Sequence, residues 1–140
     1  AAVTTLGDGA LANQGGAEDG LQDLRIGDLV IAVEDGDDGA LVLRWQGRSH
    51  GREIATSLTP YLEEAVTAAL ASSRRLEMHF EALLHFNSST LGCLIRFLKR
   101  VSTEGPPVVL HYDAKTRWQR LNFDALRSFA SPSTSILAVG

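Results

Sequence analysis

The alternation of apolar and polar positions divides this chain into short strands and amphipathic helices from about Leu24 onward. Leu29-Val30-Ile31-Ala32-Val33 reads as a strand, and Leu41-Val42-Leu43-Arg44-Trp45 as its antiparallel partner. Between them, Asp35-Gly36-Asp37-Asp38-Gly39 is a turn of residues that tolerate positive φ. Leu58, Leu62, Ala65, Val66, Ala69 and Leu70 then recur on one helical face, with Thr59-Pro60 placed to open that helix. Leu76, Met78 and Phe80 alternate with Glu77 and His79, and the run continues through Leu83, Leu84 and Phe86. This predicts one strand that delivers the chain to Asn87. Helical spacing returns at Leu91, Leu94, Ile95 and Leu98, with Arg96, Lys99 and Arg100 facing outward. Gly105-Pro106-Pro107 ends that unit, and Val108 to Tyr112 forms a short apolar strand. Trp118, Leu121, Ala125, Leu126 and Phe129 mark a last helix, and Ile136 to Val139 a closing strand beyond the Ser131-Pro132-Ser133 break.

The resulting order is strand, strand, helix, strand, helix, strand, helix, strand. It predicts an α/β fold: a mixed β-sheet with an opening antiparallel hairpin, then parallel βα units joined by right-handed crossovers, with helices packed on the sheet. Residues 1–23 are dominated by small and polar side chains, too few of them apolar to offset the entropy of ordering. They are expected to be a flexible acidic, Gly-rich N-terminal segment, and residues 24–140 a single domain.

The charge is unevenly spread. Residues 1–40 carry nine acidic side chains against Arg25 alone, whereas residues 41–140 carry eight acidic and twelve basic ones. So small a basic excess, without interleaved aromatics, argues against nucleic-acid binding. Apolar runs of only a few residues argue against membrane insertion, the beginning of the chain lacks the pattern of a signal peptide, and the expected compartment is the cytoplasm. The single cysteine, Cys93, has no partner for an internal disulfide and falls inside a predicted helix as a small buried residue.

Catalytic motifs are missing: there is no Walker-type loop, no Gly-x-Gly-x-x-Gly and no Gly-x-Ser-x-Gly, so an enzyme is not expected. His50, His79, His85 and His111 show no ligand spacing; neither a metal nor another cofactor is expected, although His79 and His85 fall where they can meet near one strand end. Glu63-Glu64 reads as a solvated helix face, and Arg74-Arg75 as a helix end. Trp118, flanked by Arg117 and Arg120, fits either the buried helical stripe or a partner surface.

The informative junction is Phe86-Asn87-Ser88-Ser89-Thr90-Leu91-Gly92, where a strand breaks into small polar residues and becomes a helix. Any of Asn87, Ser88 and Ser89 can cap that helix, a role worth about 1 kcal/mol. A phosphate added there would meet unpaired N–H groups and the positive end of the helix dipole.

This junction and the order of elements resemble the STAS domain family, the bacterial anti-sigma factor antagonists and their relatives, over residues 27–140. In that family a strand ends in an Asp-Ser-Ser-Gly-like motif followed by a helix of the kind seen here as Leu91-Gly92-Cys93-Leu94-Ile95-Arg96-Phe97-Leu98-Lys99. The resemblance implies a regulatory protein-binding domain, with Ser88 as the serine phosphorylated by a partner-switch kinase and Ser89 or Thr90 as alternates. The implied partners are a protein kinase that is also an anti-sigma factor-like regulator, and a phosphatase that reverses the modification. The expected docking surface comprises Asn87, Ser88, Ser89, Thr90, Arg96, Lys99 and Arg100. Asn87 stands where the family usually has aspartate, and Thr90 where it usually has glycine. Two other readings use the same surface: a constitutive scaffold or assembly module, and a small anion- or nucleotide-binding module drawing charge from Arg48 or Arg52.

Overall fold

Three antiparallel strands open the described part of the chain, residues 20–140 of the computed structural model: β1 (Leu24–Ile26), β2 (Leu29–Asp35) and β3 (Leu41–Ser49). Thereafter the chain alternates: α1 (Ile54–Ala71), β4 (Leu76–His79), β5 (Leu83–Phe86), α2 (Ser88–Glu104), β6 (Val108–Asp113), α3 (Arg117–Leu126), a short 3-10 turn (Arg127–Phe129) and β7 (Thr134–Val139). The sheet runs β1-β2-β3-β4-β6-β7, and the pairs from β3 onward are parallel. This is the mixed sheet with an antiparallel opening that the sequence pattern predicts. Among the described residues, no helix is long and apolar enough to cross a membrane.

Strand alternation puts Leu43, Met78, Leu110 and Ile136 in one transverse row, and all four belong to the single core cluster that the helices complete with Leu58, Leu62, Leu94, Leu98 and Phe123. The outward row alongside contains Arg44, His79, His111 and Leu137. Arg74 and Arg75 do not end a helix as expected, for α1 stops at Ala71 and its last turn holds no basic residue. Arg74 donates to the carbonyls of Gly39 (2.8 Å) and Ala40 (2.9 Å), and Arg75 pairs with Asp38, so both clamp the β2–β3 turn.

Four further expectations need correction. Helix α1 opens at Ile54, and Pro60 lies inside it; Thr56, whose carbonyl loses a donor, and Pro60 are both exposed, so solvent meets the missing bond. A short additional strand, β1, precedes the predicted hairpin. The run Leu76 to Phe86 is two strands, because the chain turns at Phe80, whose carbonyl accepts from Leu83 N (2.9 Å). Both strands pair with β3, β4 along its first half and β5 from Gly47 to Ser49, where the register shifts between Gly47 and Arg48. Gly47 is required there: its φ is +82°, and a Cβ would lie 1.9 Å from the Asp28 carbonyl oxygen.

Finally, residues 21–23 are not loose. Leu21 packs on the core, the Gln22 carbonyl accepts from the Tyr61 hydroxyl (2.6 Å), and the Asp23 carboxylate accepts from Val33 N (2.8 Å). Residues 1–19 of the expected flexible segment lie outside the described residues.

Candidate functional site

The β5–α2 junction is held by a hydrogen-bonded knot. Asn87 has extended backbone (φ −94°, ψ 179°) and is the N-cap: its Oδ1 accepts from Thr90 N (2.9 Å) and from the Thr90 hydroxyl (2.9 Å). Its N–H donates to the Ser49 carbonyl (3.0 Å), and its Nδ2 to the Gly51 carbonyl (3.1 Å). With the Thr90 proton committed to Asn87, the Ser49 hydroxyl donates to Thr90 Oγ1 at 2.7 Å.

The two positions that differ from the STAS pattern the sequence resembles both lie in this knot. An aspartate at position 87 would have no side-chain N–H for the Gly51 carbonyl, and a glycine at position 90 would have no hydroxyl for Ser49. Thr90 is 0% exposed, so the expectation that it presents a hydroxyl to a kinase or partner is corrected: that hydroxyl is spent inside the fold.

The other two hydroxyls differ. Ser88, the first residue of α2, is exposed, and Ser89 is half-buried. Ser88, Gly92 and Arg96 follow one another at intervals of four residues on α2 and so share a ridge. Arg96 folds back along that ridge: its Nη2 lies 3.6 Å from Cys93 Sγ, and its Nη1 would meet a Cβ on Gly92 at 3.4 Å. The guanidinium therefore lies over the turn at Gly92, where an added Cβ would be in ordinary van der Waals contact with it. Lys99 and Arg100 do not join it. Lys99 Nζ lies over the Phe129 ring (5.6 Å), and Arg100 bridges to Glu63 (3.4 Å) on α1 and Glu104 (3.4 Å).

Of the remaining candidates, Cys93 is buried as expected, with Thr59 Oγ1 3.4 Å away. Arg48 and Arg52 are both exposed, and His50 faces Asp28 (3.5 Å). Trp118 is half-buried and packs its edge against Phe86 (5.1 Å) and more distantly against His85 (6.4 Å), so much of it serves the core.

His79 does not meet His85. It stacks on His111 instead, with centroids 4.1 Å apart and planes 2° from parallel, because these two residues are direct partners across β4 and β6. Glu77 Oε1 lies 3.5 Å from the Nε2 of both rings. Burial opposes ionisation of Glu77, but Arg75, hydrogen-bonded to it and close in charge, more than offsets this and holds the carboxyl below its ordinary range. Burial, and then the proximity of His79, keep His111 below the usual imidazole value against the opposing pull of Glu77 and Glu81. No linear spacing links position 111 to 77 and 79; the available signal was Glu-x-His on one face of a strand whose parallel neighbour carries a histidine in register.

Comparison with known proteins bears on the fold. No protein-family model and no curated protein matches the sequence. Two solved structures from Pseudomonas aeruginosa do match in three dimensions. One is apo-SiaC, at TM-score 0.55 and 22% identity over 83% of this chain and 98% of that one. The other is a chain of the complex of the diguanylate cyclase SiaD with its activator SiaC, at TM-score 0.56 and 21% identity over 84% of this chain and 98% of that one. The likeness is one of fold. It spans nearly the whole of each matched chain, so the mixed sheet and its helices correspond as a unit.

Proposed function

We propose that this chain is a regulatory protein-binding domain that docks through the N-terminal end and outward face of α2 and is switched by reversible phosphorylation of Ser88. The observation that carries this reading is the ridge of Ser88, Gly92 and Arg96. An exposed hydroxyl there opens a 17-residue helix, and a guanidinium folds back toward it. A phosphate on Ser88 adds about −1.5 to −2 charges where the first-turn N–H groups and Arg96 favour an anion. It also changes the charge of the surface a partner must cover, so binding responds to it. The fold likeness to SiaC, an activator of a cyclase, supports a protein partner. The STAS resemblance supports the finer assignment of a kinase that is also an anti-sigma factor-like regulator, with a phosphatase resetting the switch. The chain is then the substrate of the chemistry and not its catalyst.

The test is incubation with ATP and the cognate kinase, phosphate mapping by mass spectrometry, and titration of the kinase with two variants. Phosphate on Ser88, retained binding by Ser88→Ala and lost binding by Ser88→Asp are expected; phosphate on Ser89 instead moves the switch by one residue. Equal binding by both variants, with no phosphate on the chain, replaces the switch with the constitutive scaffold. A rise in melting temperature with free phosphate or nucleotide, absent any protein partner, supports the anion-binding module instead.

A further inference from the structure

We propose that Glu77, His79 and His111 form a binding site for one borderline transition-metal dication, best matched by Zn2+, on the outer face of the sheet. The site is independent of the Ser88 reading and draws on different elements. Two imidazoles and one carboxylate are the donor set that suits zinc with one position left open. Strand geometry brings the set together: Glu77 and His79 lie two residues apart on one face of β4, and His111 is the register partner of His79 on β6. One donor atom from each residue falls within 4.8 Å of the others.

Three further features favour an ion over a fortuitous cluster. First, His111 Nε2 is buried and points into the group, where Glu77 Oε1 stands at 3.5 Å without the geometry of a hydrogen bond. An unsatisfied buried donor or acceptor is costly, and a coordinating cation is one way to satisfy it. Second, the partners around the donors hold them in ligating form. Arg75 Nε donates to Glu77 Oε2 at 2.9 Å, which leaves Oε1 directed at the two rings. Glu81 lies 3.3 Å from His79 Nδ1, the carboxylate–histidine arrangement that sets the tautomer and frees Nε2 for the metal. Third, all three donor side chains are only 17–18% exposed, so water competes weakly. The neighbouring cations are already paired: Arg75 with Asp38 and Glu77, and Arg44, across from His79 on β3, with Glu34 at 2.9 Å.

The stacked rings present parallel lone pairs. Reaching one ion at about 2.0–2.1 Å from each nitrogen requires them to splay, a rotation about broad terminal torsions and not a backbone change.

The experiment uses the full, untagged chain freed of metal by chelator and then titrated with zinc chloride in a calorimeter. Saturation at one equivalent is expected, with an increase in melting temperature that chelator reverses. His79→Ala and His111→Ala each weaken binding at least about tenfold, as does Glu81→Gln through the outer contact. His50→Ala and His85→Ala, outside the cluster, bind as the parent does. Glu77→Gln, which keeps the shape of the side chain, guards against loss of fold, and circular dichroism verifies each variant. Loading with Co2+ gives a visible absorption band from a four-coordinate site. Absence of saturable binding by the parent overturns the proposal, as does unchanged affinity in folded His79→Ala and His111→Ala.

Discussion

Gln119 is the buried residue on which the shape of the β4–β5 turn depends, and its replacement by leucine tests that dependence. Although polar, it is 0% exposed and fully engaged: Nε2 donates to the carbonyls of Phe80 (2.7 Å) and Leu83 (3.0 Å), and Oε1 accepts from Asp113 N (2.7 Å). One side chain on α3 thus fastens the turn to the end of β6. Gln119→Leu preserves much of the volume but removes all three bonds. At about 1 kcal/mol net for each, the loss is about 3 kcal/mol. The Phe80 carbonyl keeps its bond from Leu83 N, which lowers the cost, whereas the Asp113 N–H is left without a partner, which raises it. With an unfolding entropy of about 2.1 cal/mol/K per residue over roughly 120 residues, 3 kcal/mol corresponds to a drop of about 12 °C in Tm. Thermal unfolding followed by circular dichroism measures this, and amide hydrogen exchange shows whether protection is lost first across β5 and the start of α2. A fall of less than about 4 °C, with protection there intact, would refute the argument, since the turn would then be held by its backbone alone.

Thr90→Val, nearly isosteric, strands the buried Ser49 hydroxyl and removes a bond to Asn87, and should lower stability by about 1–3 kcal/mol in urea unfolding. The double variant with Ser49→Ala should lose less than the sum of the two single changes, because the orphaned group has gone. Asp113 gives a pH prediction: hydrogen bonds from the Thr116 hydroxyl and then from Lys115 N hold its carboxyl below the ordinary value. Its contribution is present in full above the unfolded value of about 3.9 and fades as pH falls through the lower folded value. Melting temperatures measured from about pH 6 to 2 should fall less steeply for Asp113→Asn than for the parent.

What could be read from the sequence and what could not separate along a physical line. Periodicity reports which face of a segment is buried, so the β2–β3 hairpin, α2, β6 and β7 were legible, as was Cys93 as a core residue, whereas the stripe read for the last helix was not, since Leu121 and Ala125 are exposed and Phe123 is buried. Capping is equally local: Asn87 and Thr90 sit three residues apart, and the bond between them follows from that spacing. Pairings across the sheet are not local. Nothing in the run from Leu76 to Phe86 shows that Gln119, some forty residues on, bends it at Phe80, nor that β3 is long enough to receive both halves, β5 across a register shift beside Gly47. For the same reason Thr90 looked available, since the hydroxyl that encloses it comes from Ser49 on another strand.

The histidines carry this furthest. In the sequence His79 lies closer to His85 than to His111, but a parallel sheet joins residues by register and not by separation, and register aligns 79 with 111. A ligand set split across two parallel strands carries no short motif, because the crossover helix between the strands sets the separation and its length is free to vary. Scanning for ligand spacing passes over such a set. Writing each predicted parallel strand in register and looking for imidazole and carboxylate on the same face would find it.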